Sequence, residues 1–392
     1  MSTSSTLAGP ELEGLPAPTG RHRVGRVSVD WVDPSRGEIY SSDPRDRREL
    51  VVWIWYPAAP GPDAGRAAYL PGAWAPSGQM LGLDAAGLLS HAVQDAAVAD
   101  EQPGYPVLVL SPSGFPPLLL AATAEELASH GYVVVGVNHT YETAVTVFAD
   151  GRVVPVNPAA QAGVLGPQTG PYQERFRQRA AVCDYKAADL ASVADQLEQI
   201  NAGAAGLLAG RLDLGRLGGF GHSFGGNAAL QWCRNDRRCQ AAANLDGALW
   251  TEVGRVGLDR PALQLLAGHP EFALSAADAV AAGMATDAAA YDTEKAIAFD
   301  GWRTVCQKAR PGYTMQVKRA SHVSFMDVPF LPLPAEGPVK AMLAATQIQP
   351  RRMWRITCDV LLAFFARHLD QAAGLILEGP SGDYPELTFG AP

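Results

Sequence analysis

One serine stands between glycines in the run "GGFGHSFGGNAALQWC" of residues 218–233. The residues before Ser223 have strand character, and the residues after it have the apolar spacing of a helix. A serine nucleophile needs such a junction, because its hydroxyl is presented on strained backbone and its neighbours must lack bulk. Glycine at 221, 225 and 226 meets that need. We therefore predict Ser223 as a nucleophile, the alternative being a tight turn without chemistry.

A serine hydroxyl becomes a good nucleophile when a base removes its proton, and histidine is the usual base. In enzymes that present a serine on such a strand-to-helix turn, the chain order of the three catalytic residues is serine, acid, histidine. Three histidines follow the serine: His269, His322 and His368. His368 lies in a helical pattern and His269 ends a strand, whereas His322 in "KRASHVSFMDVPF" lies in a loop just past the last strand. Since a loop there can reach the serine, the sequence predicts His322 as the base.

Two carboxylates could orient the imidazole. Asp246 follows the strand "AAANL" and precedes a glycine, and Glu271 follows "LLAGHP" one strand later. Asp246 has the shorter side chain and the better-defined position at a strand end, although an Asp-Gly turn without chemistry has the same sequence. On the residues alone, both acids remain candidates.

Acyl transfer also requires two N–H groups that stabilise the oxyanion of the tetrahedral intermediate. One candidate is the backbone amide of Phe224, directly after the nucleophile. The second would come from the loop after "VLVLSPSGF", where Gly114 and Phe115 lie between a buried strand and its helix. The alternative is a proline-rich connector without a catalytic role.

These residues require a scaffold that brings several strand ends together. Short apolar runs alternate with segments of helical spacing along most of the chain. Strands are predicted at 22–33, 49–58, 105–114, 133–139, 216–222, 240–249, 261–269 and 313–321. Helices are predicted at 118–132, 174–201, 225–235 and 346–371, and a hairpin at 145–156. The alternation predicts an α/β fold, with a mostly parallel central sheet and helices on both faces.

The domain organisation predicted from the sequence is simple. Residues 1–20 are rich in Ser, Pro and Gly, and we expect them to form a flexible arm. Residues 21–392 are predicted to form a single domain without internal repeats. The segments 157–173 and 270–305 are long for connectors, so we expect them to form a cap over the site.

Apolar side chains adjoin each predicted catalytic loop. Any one of them could be an ordinary core residue, but their shared position favours an apolar acyl or alcohol pocket. The predicted pocket residues are Gly114, Trp250, Trp302 and Phe325. Glu142 follows a central strand and is predicted to line the entrance.

Composition and charge exclude several classes of protein. The chain has 392 residues, 47% of them hydrophobic, which is ample for a large core. A net charge of −9 argues against nucleic acid and anionic membrane surfaces as partners. No apolar run is long enough to predict a membrane span, and the first residues lack a secretory signal pattern, so we expect a cytoplasmic protein. Five scattered cysteines without a CxxC motif argue against a zinc site or disulfide framework, with a Cys233–Cys239 pair as the alternative.

Several separate motifs carry a family resemblance. In order they are "VWIWYPA", "VLVLSPSGF", "LASHGYVVVGVNHTYE", "GHSFGG", "NLDG" and "ASHVSFMD", and the resemblance spans residues 22 to 370. Together they resemble the platelet-activating-factor acetylhydrolase family of α/β-hydrolases, particularly its bacterial esterase branch. The family places its acid in the strand immediately after the nucleophile helix. The resemblance therefore implies an α/β-hydrolase fold with Ser223 as nucleophile, His322 as base, and Asp246 rather than Glu271 as acid.

The resemblance also bears on the oxyanion hole and the substrate. The family loop usually reads Ser-Pro-Gly-Phe-Gly or Ser-His-Gly, whereas "SPSGFPP" here adds Ser113 and has Pro116 in place of the last glycine. Of the Gly114 and Phe115 amides we favour Phe115. The family implies hydrolysis of small or lipid-like esters with short or oxidised acyl chains, without a metal or cofactor.

Two other functions are compatible with parts of this pattern. An acyltransferase or cyclising enzyme of a biosynthetic pathway would use the same acyl-serine but exclude water. A catalytically silent binding module of the same fold would typically have lost the serine, the acid or the histidine, and all three are present here.

Overall fold

The computed structural model describes residues 14–83, 85, 87–165, 172–268, 275–281, 287–332, 343 and 346–390. Its strands are β1 (Arg23–Gly37), β2 (Arg47–Ala58), β3 (Val93–Gln94), β4 (Tyr105–Ser111), β5 (Val133–His139), β6 (Val145–Val147), β7 (Val153–Pro155), β8 (Leu212–His222), β9 (Cys239–Leu245), β10 (Ala262–Ala267), β11 (Gly312–Val317) and β12 (Leu387–Phe389). Its helices are α1 (Trp74–Ser77), α2 (Ala121–Ser129), α3 (Pro158–Leu165), α4 (Tyr172–Ala202), α5 (Phe224–Asn235), α6 (Glu252–Val256), α7 (Ala276–Ala281), α8 (Ala288–Lys308) and α9 (Pro350–Leu369).

A ten-stranded sheet organises the fold, in the order β12-β11-β10-β9-β8-β4-β5-β2-β1-β3. The central strands β5, β4, β8, β9, β10 and β11 are parallel to one another. Strand β2 is antiparallel to β5, β1 to β2, and β12 to β11. The predicted mostly parallel sheet is thus confirmed. Because the central strands are parallel, their carboxyl ends share one edge, where the following loops can meet.

The central strands are buried on both faces, which explains their continuous apolar sequences. All seven residues of β4 are buried, and successive residues face opposite sides of the sheet. Leu108 and Leu110 belong to a core that includes residues of α2 and α9. Val107 and Val109 belong to a second core, which includes residues of α4, α5 and α8. Helices therefore cover both faces, as predicted.

Several element ends differ from their predicted positions for local reasons. The strand predicted at 105–114 ends at Ser111, and the helix predicted from 118 starts as a 3₁₀ turn at Pro117–Leu120. Strands β6 and β7 form the predicted hairpin, in which Gly151 has φ +87°. Strand β12 was not predicted. Its three residues gain strand geometry by pairing with β11, a contact that no local pattern encodes.

The predicted arm and cap segments are described in part. Residues 14–20 of the arm contact α2: Leu15 is 4% exposed, and the Thr19 amide donates to Glu126 Oε2 at 2.6 Å. In the predicted caps, the structure describes α3, the start of α4, α7 and most of α8. The cap residues 166–171, 270–274 and 282–286 lie outside the described residues.

All five cysteines are free, and all except Cys306 are buried. The Cys233 thiol lies 3.4 Å from the Cys239 carbonyl oxygen, to which it can donate.

Among the described helices, none combines the length and apolar composition that a bilayer crossing requires.

Candidate active site

Ser223 lies in a sharp turn between β8 and α5, at the carboxyl edge of the sheet. Its backbone has φ 58° and ψ −127°, a strained conformation that costs about 1–3 kcal/mol. Its amide donates to the Leu245 carbonyl at 2.9 Å, and its carbonyl accepts the Gly226 amide at 2.9 Å. These bonds hold the half-buried serine in its strained conformation.

The flanking glycines are required by close backbone approach. An ideal Cβ at Gly221 would lie 2.3 Å from the Gly225 carbonyl oxygen, and one at Gly225 would lie 2.0 Å from the Ser111 carbonyl oxygen. At Gly226 it would lie 2.0 Å from Oδ1 of Asn244. No side chain fits at such distances, so β8, α5 and the end of β4 can meet only through glycine.

Asp246 lies directly after β9, with φ 59° and a fully buried side chain. Its Oδ2 lies 2.6 Å from Nδ1 of His322, and its Oδ1 accepts the Ala267 amide at 2.7 Å. An ideal Cβ at Gly247 would lie 2.1 Å from the Ser223 carbonyl oxygen. Glycine at 247 therefore allows the turn that carries Asp246 to contact the turn that carries Ser223.

His322 begins a 3₁₀ turn after β11, and its side chain is 33% exposed. His222, the residue before the serine, donates from Nε2 to the His322 carbonyl at 2.8 Å, and the two ring centroids are 4.4 Å apart. Burial lowers the pKa of His222 to about 3, so its ring is neutral at neutral pH. His222 thus holds His322 beside the turn of Ser223.

The loop that follows His322 is fastened to α2 by Asp327. The carboxyl group accepts the Ala122 amide at 3.1 Å and lies 3.0 Å from the Tyr69 hydroxyl. The Asp327 amide donates to the Leu119 carbonyl at 2.7 Å. Burial raises the pKa of Asp327 to about 7. These contacts connect the loop of the predicted base to the helix that follows the predicted oxyanion loop.

Residues 112–116, hereafter the β4–α2 loop, contain the two amides considered for the oxyanion hole. The Gly114 carbonyl accepts the Ala144 amide at 2.9 Å. In a trans peptide the carbonyl and the next N–H point in opposite directions, so the Phe115 N–H points away from Ala144. Ala144 follows β5, and β4 lies between β5 and β8. The Phe115 N–H is therefore directed away from the segment that follows β5.

The predicted pocket residues differ in exposure. Gly114 is half-buried, whereas Trp250, Phe325 and Trp302 are 8%, 3% and 1% exposed. The indole N–H of Trp302 donates to the Gly247 carbonyl at 2.8 Å. Trp302 therefore packs against the backbone of the turn that carries Asp246.

The remaining candidates for base and acid lie elsewhere in the chain. His368, on α9, has Nε2 3.2 Å from the Tyr313 hydroxyl, and its ring packs against Phe364 at 5.0 Å between centroids. His269 and Glu271 lie outside the described residues. Of the candidates that are described, the structure brings one acid and one imidazole into hydrogen-bond contact beside the serine.

Five buried polar residues lie under the β4–α2 loop, and of these only Glu142 was given a role from the sequence. This buried ion network consists of Arg48, His139, Glu142, Lys186 and Asp189, each less than 5% exposed. Asp189 accepts from Arg48 Nη2 at 2.6 Å and lies 2.7 Å from His139 Nδ1. Glu142, predicted at the pocket entrance, is instead buried and accepts from Arg48 at 2.9 Å. A signal was present in α4, where Lys186 and Asp189 share the spacing of its apolar face.

Part of this network has the donor set of a cation site. The ligand atoms of His139, Glu142 and Asp189 lie within 4.8 Å of one another. Arg48 and Lys186 already supply two positive charges to these carboxylates, at 2.6 Å to Asp189 and 3.6 Å to Glu142. The charges of these carboxylates are therefore matched by cationic side chains of the protein, although Glu142 Oε1 accepts no hydrogen bond.

Two esterases are among the known proteins that resemble the chain. A "Probable 1-alkyl-2-acetylglycerophosphocholine esterase" from Arthroderma benhamiae is 28% identical over 266 residues, which cover 62% of this chain and 61% of that protein. The chain thus matches less than two thirds of that relative's length. The solved structure of a ferulic acid esterase from Streptomyces cinnamoneus aligns with a TM-score of 0.74 and 29% identity, covering 96% of this chain and 98% of that chain. This likeness and the mostly parallel sheet confirm the predicted α/β-hydrolase fold.

The family assignment follows from a comparison that covers most of the chain. Residues 15–374 match the model of one family. This matched range includes β1 to β11 and all nine helices of the described structure. The motifs that suggested a resemblance all lie inside this range. The chain belongs to the family of platelet-activating factor acetylhydrolase, isoform II.

Proposed function

We propose that the protein is a serine carboxylic-ester hydrolase that cleaves short-chain acyl esters through an acyl-serine intermediate. The observation that carries this proposal is the 2.6 Å contact between Asp246 Oδ2 and His322 Nδ1, beside a serine on strained backbone. Family membership and the two esterases among the similar proteins support it.

The contact with the acid sets the protonation of the base. Since Nδ1–H of His322 donates to Asp246, Nε2 carries a lone pair that can accept the Ser223 proton. The serine oxygen then bonds to the ester carbonyl carbon, and the carbonyl π electrons move to its oxygen. As the tetrahedral intermediate collapses, the alcohol leaves with the proton from His322. Water then gives a proton to His322 and attacks the acyl-serine carbonyl. When this second intermediate collapses, the carboxylic acid product leaves and His322 returns the proton to the Ser223 oxygen.

The amides of Phe224 and Phe115 are the proposed oxyanion donors. Phe224 is the first residue of α5, a position whose N–H has no acceptor within the helix. The direction of the Phe115 N–H, fixed by the bond from Ala144 to the Gly114 carbonyl, supports its choice over Gly114. Each donor of this kind contributes about 10²- to 10³-fold to kcat.

The proposed substrate is a small or lipid-like ester. We place its acyl group against half-buried Gly114 and the exposed edge of Trp250, with Phe325 and Trp302 forming the wall behind. Residues of α4 cover this region, since the rings of Phe176 and Trp250 lie 5.8 Å apart. A single domain over residues 21–392, with cap segments near 157–173 and 270–305, remains part of the proposal. Five free cysteines support the predicted cytoplasmic location.

Hydrolysis of p-nitrophenyl esters from acetyl to palmitoyl tests the proposal. The wild type should favour the shortest chains, and Ser223→Ala should lose at least about 1,000-fold in kcat while remaining folded. Ser192→Ala, the same change on α4, serves as the control and should keep full activity. More than a few per cent of activity in Ser223→Ala would reject the mechanism. A transfer product that outweighs hydrolysis when an amine or alcohol is added would identify an acyltransferase instead.

A further inference from the structure

A lysine reaches the β4–α2 loop from within the protein. Lys186, in the middle of α4, has no exposed surface, and its Nζ lies 3.2 Å from the Ser113 carbonyl oxygen. Ser113 has φ 71°, a left-handed conformation that is uncommon for a residue with a side chain. The ammonium group therefore contacts a strained residue two positions before the proposed Phe115 donor.

The burial of this charge is costly and needs a reason. Removing an ammonium group from water costs several kcal/mol even when it is paired, and an apolar residue of similar volume is often as stable. Lys186 Nζ lies 3.6 Å from Glu142 Oε1, and Glu142 accepts from Arg48 at 2.9 Å. Burial lowers the pKa of Lys186, and the Glu142 carboxylate opposes that shift. The Nζ of Lys186 thus directs a hydrogen-bond donor at the Ser113 carbonyl.

The start of the same loop is held by a second part of the buried ion network. Ser111 Oγ lies 2.8 Å from His139 Nε2, and His139 Nδ1 lies 2.7 Å from Asp189 Oδ2. Burial lowers the pKa of His139 to about 3, so the ring is neutral. Its Nδ1–H then donates to Asp189, and Nε2 accepts the Ser111 hydroxyl. Contacts at Ser111 and Ser113 therefore restrain the loop on both sides of Pro112.

Two successive peptide planes are fixed by these contacts. The Ser113 carbonyl points to Lys186, and the Gly114 carbonyl points to the Ala144 amide. Each bond sets the direction of the following N–H, because peptide groups are planar and trans. Without the lysine, the Ser113–Gly114 peptide is free to rotate, and the Gly114–Phe115 peptide is then held by the Ala144 bond without support from the residue before it.

We propose that Lys186, paired with Glu142, is a positioning residue of the hydrolase: it holds the Ser113–Gly114 peptide, the plane next to the proposed donor, so that the Phe115 amide keeps its place at the oxyanion. The inference rests on the proposed function. Lys186 does not touch the substrate, so its removal should lower kcat and leave KM nearly unchanged, the pattern of an interaction made only in the transition state.

The test is the double variant Lys186→Met/Glu142→Gln, which removes both charges and leaves no unpaired ion in the core. With p-nitrophenyl acetate, kcat should fall about 10- to 100-fold, less than the full loss of an oxyanion donor, and KM should stay within about twofold. The control is Glu38→Gln. Glu38 contacts Arg48 at 2.9 Å, so it belongs to the same charged region without touching the β4–α2 loop. It should keep kcat within about twofold even if its melting temperature drops.

Other results of the same experiment would overturn the proposal. A folded double variant with wild-type kcat, or with a raised KM and unchanged kcat, overturns the positioning role. If it does not fold, Lys186→Gln/Glu142→Gln carries the same test, since the two amides can hydrogen-bond each other and the shorter side chain misses Ser113. If neither pair folds, the proposal is overturned in favour of a folding role. If Ser223→Ala retains activity, the proposed function fails instead, and this inference with it.

Discussion

Replacing Asp246 by asparagine should stop catalysis without unfolding the protein. The carboxylate accepts two hydrogen bonds, from His322 Nδ1 at 2.6 Å and from the Ala267 amide at 2.7 Å. Asparagine offers one oxygen and one NH₂ group in the same place, so only one of these donors keeps an acceptor. The Ala267 amide is always a donor, whereas the imidazole can move its proton to Nε2. We therefore expect the oxygen to face Ala267 and the NH₂ group to face His322.

The size of the effect follows from the displaced proton. With hydrogen on Nε2, His322 cannot accept the Ser223 proton. In a serine protease the corresponding change lowers kcat about 10⁴-fold, which is about 5.4 kcal/mol. The opposite orientation restores the tautomer but leaves the buried Ala267 amide facing NH₂, at a cost of about 1–3 kcal/mol. We expect kcat to fall by about 10²- to 10⁴-fold, depending on how often the second orientation is populated.

The assay is hydrolysis of p-nitrophenyl acetate near neutral pH, together with a thermal melt. The control is Asp236→Asn, the same chemical change at the other end of α5, where the carboxylate accepts from Arg238 and Trp232. The control should keep at least half of the wild-type kcat. If folded Asp246→Asn retained more than about a tenth of the wild-type kcat, the proposed role of Asp246 would be wrong.

Two other changes test the scaffold of the site. Gly225→Ala places a Cβ 2.0 Å from the Ser111 carbonyl oxygen, so it should cost at least about 1–3 kcal/mol in unfolding free energy and lower kcat. Gly61→Ala, with open space around its Cβ, should change neither, and equal melting temperatures for the two variants would contradict the steric argument. Burial raises the pKa of Asp327 to about 7, so between about pH 4 and pH 7 the folded state keeps a proton that the unfolded chain has released. Wild type should therefore lose stability relative to Asp327→Asn as the pH rises from about 5 to about 8, and parallel melting curves against pH would show that the carboxyl is not protonated beside Tyr69.

The candidate site residues could be proposed from the sequence because each follows a strand of recognisable composition. Ser223 is marked by its glycines, and Asp246 and His322 follow the next strands of the parallel series. A parallel sheet places such positions at one edge, so the fold and the site can be predicted together. The choice of Asp246 over Glu271 needed the family resemblance, because both residues follow a strand.

The contacts that support the site could not be predicted in the same way. The spacing of Lys186 and Asp189 on the apolar face of α4 was a signal of burial, but their partners Arg48 and His139 lie on strands far away in the chain. Whether such charges face solvent or the interior depends on which partners the fold supplies. The bond from His222 to the His322 carbonyl is likewise a tertiary contact, between two segments one hundred positions apart.

The proposed mechanism requires that the Ser223 hydroxyl forms the covalent bond with the acyl group. The most direct measurement is reaction of the full chain with a fluorophosphonate probe, followed by mass spectrometry of its peptides. We expect a single adduct on Ser223, formed much more slowly by His322→Ala, because the base is then missing. An unlabelled protein that still hydrolyses esters, or an adduct on another residue, would contradict it.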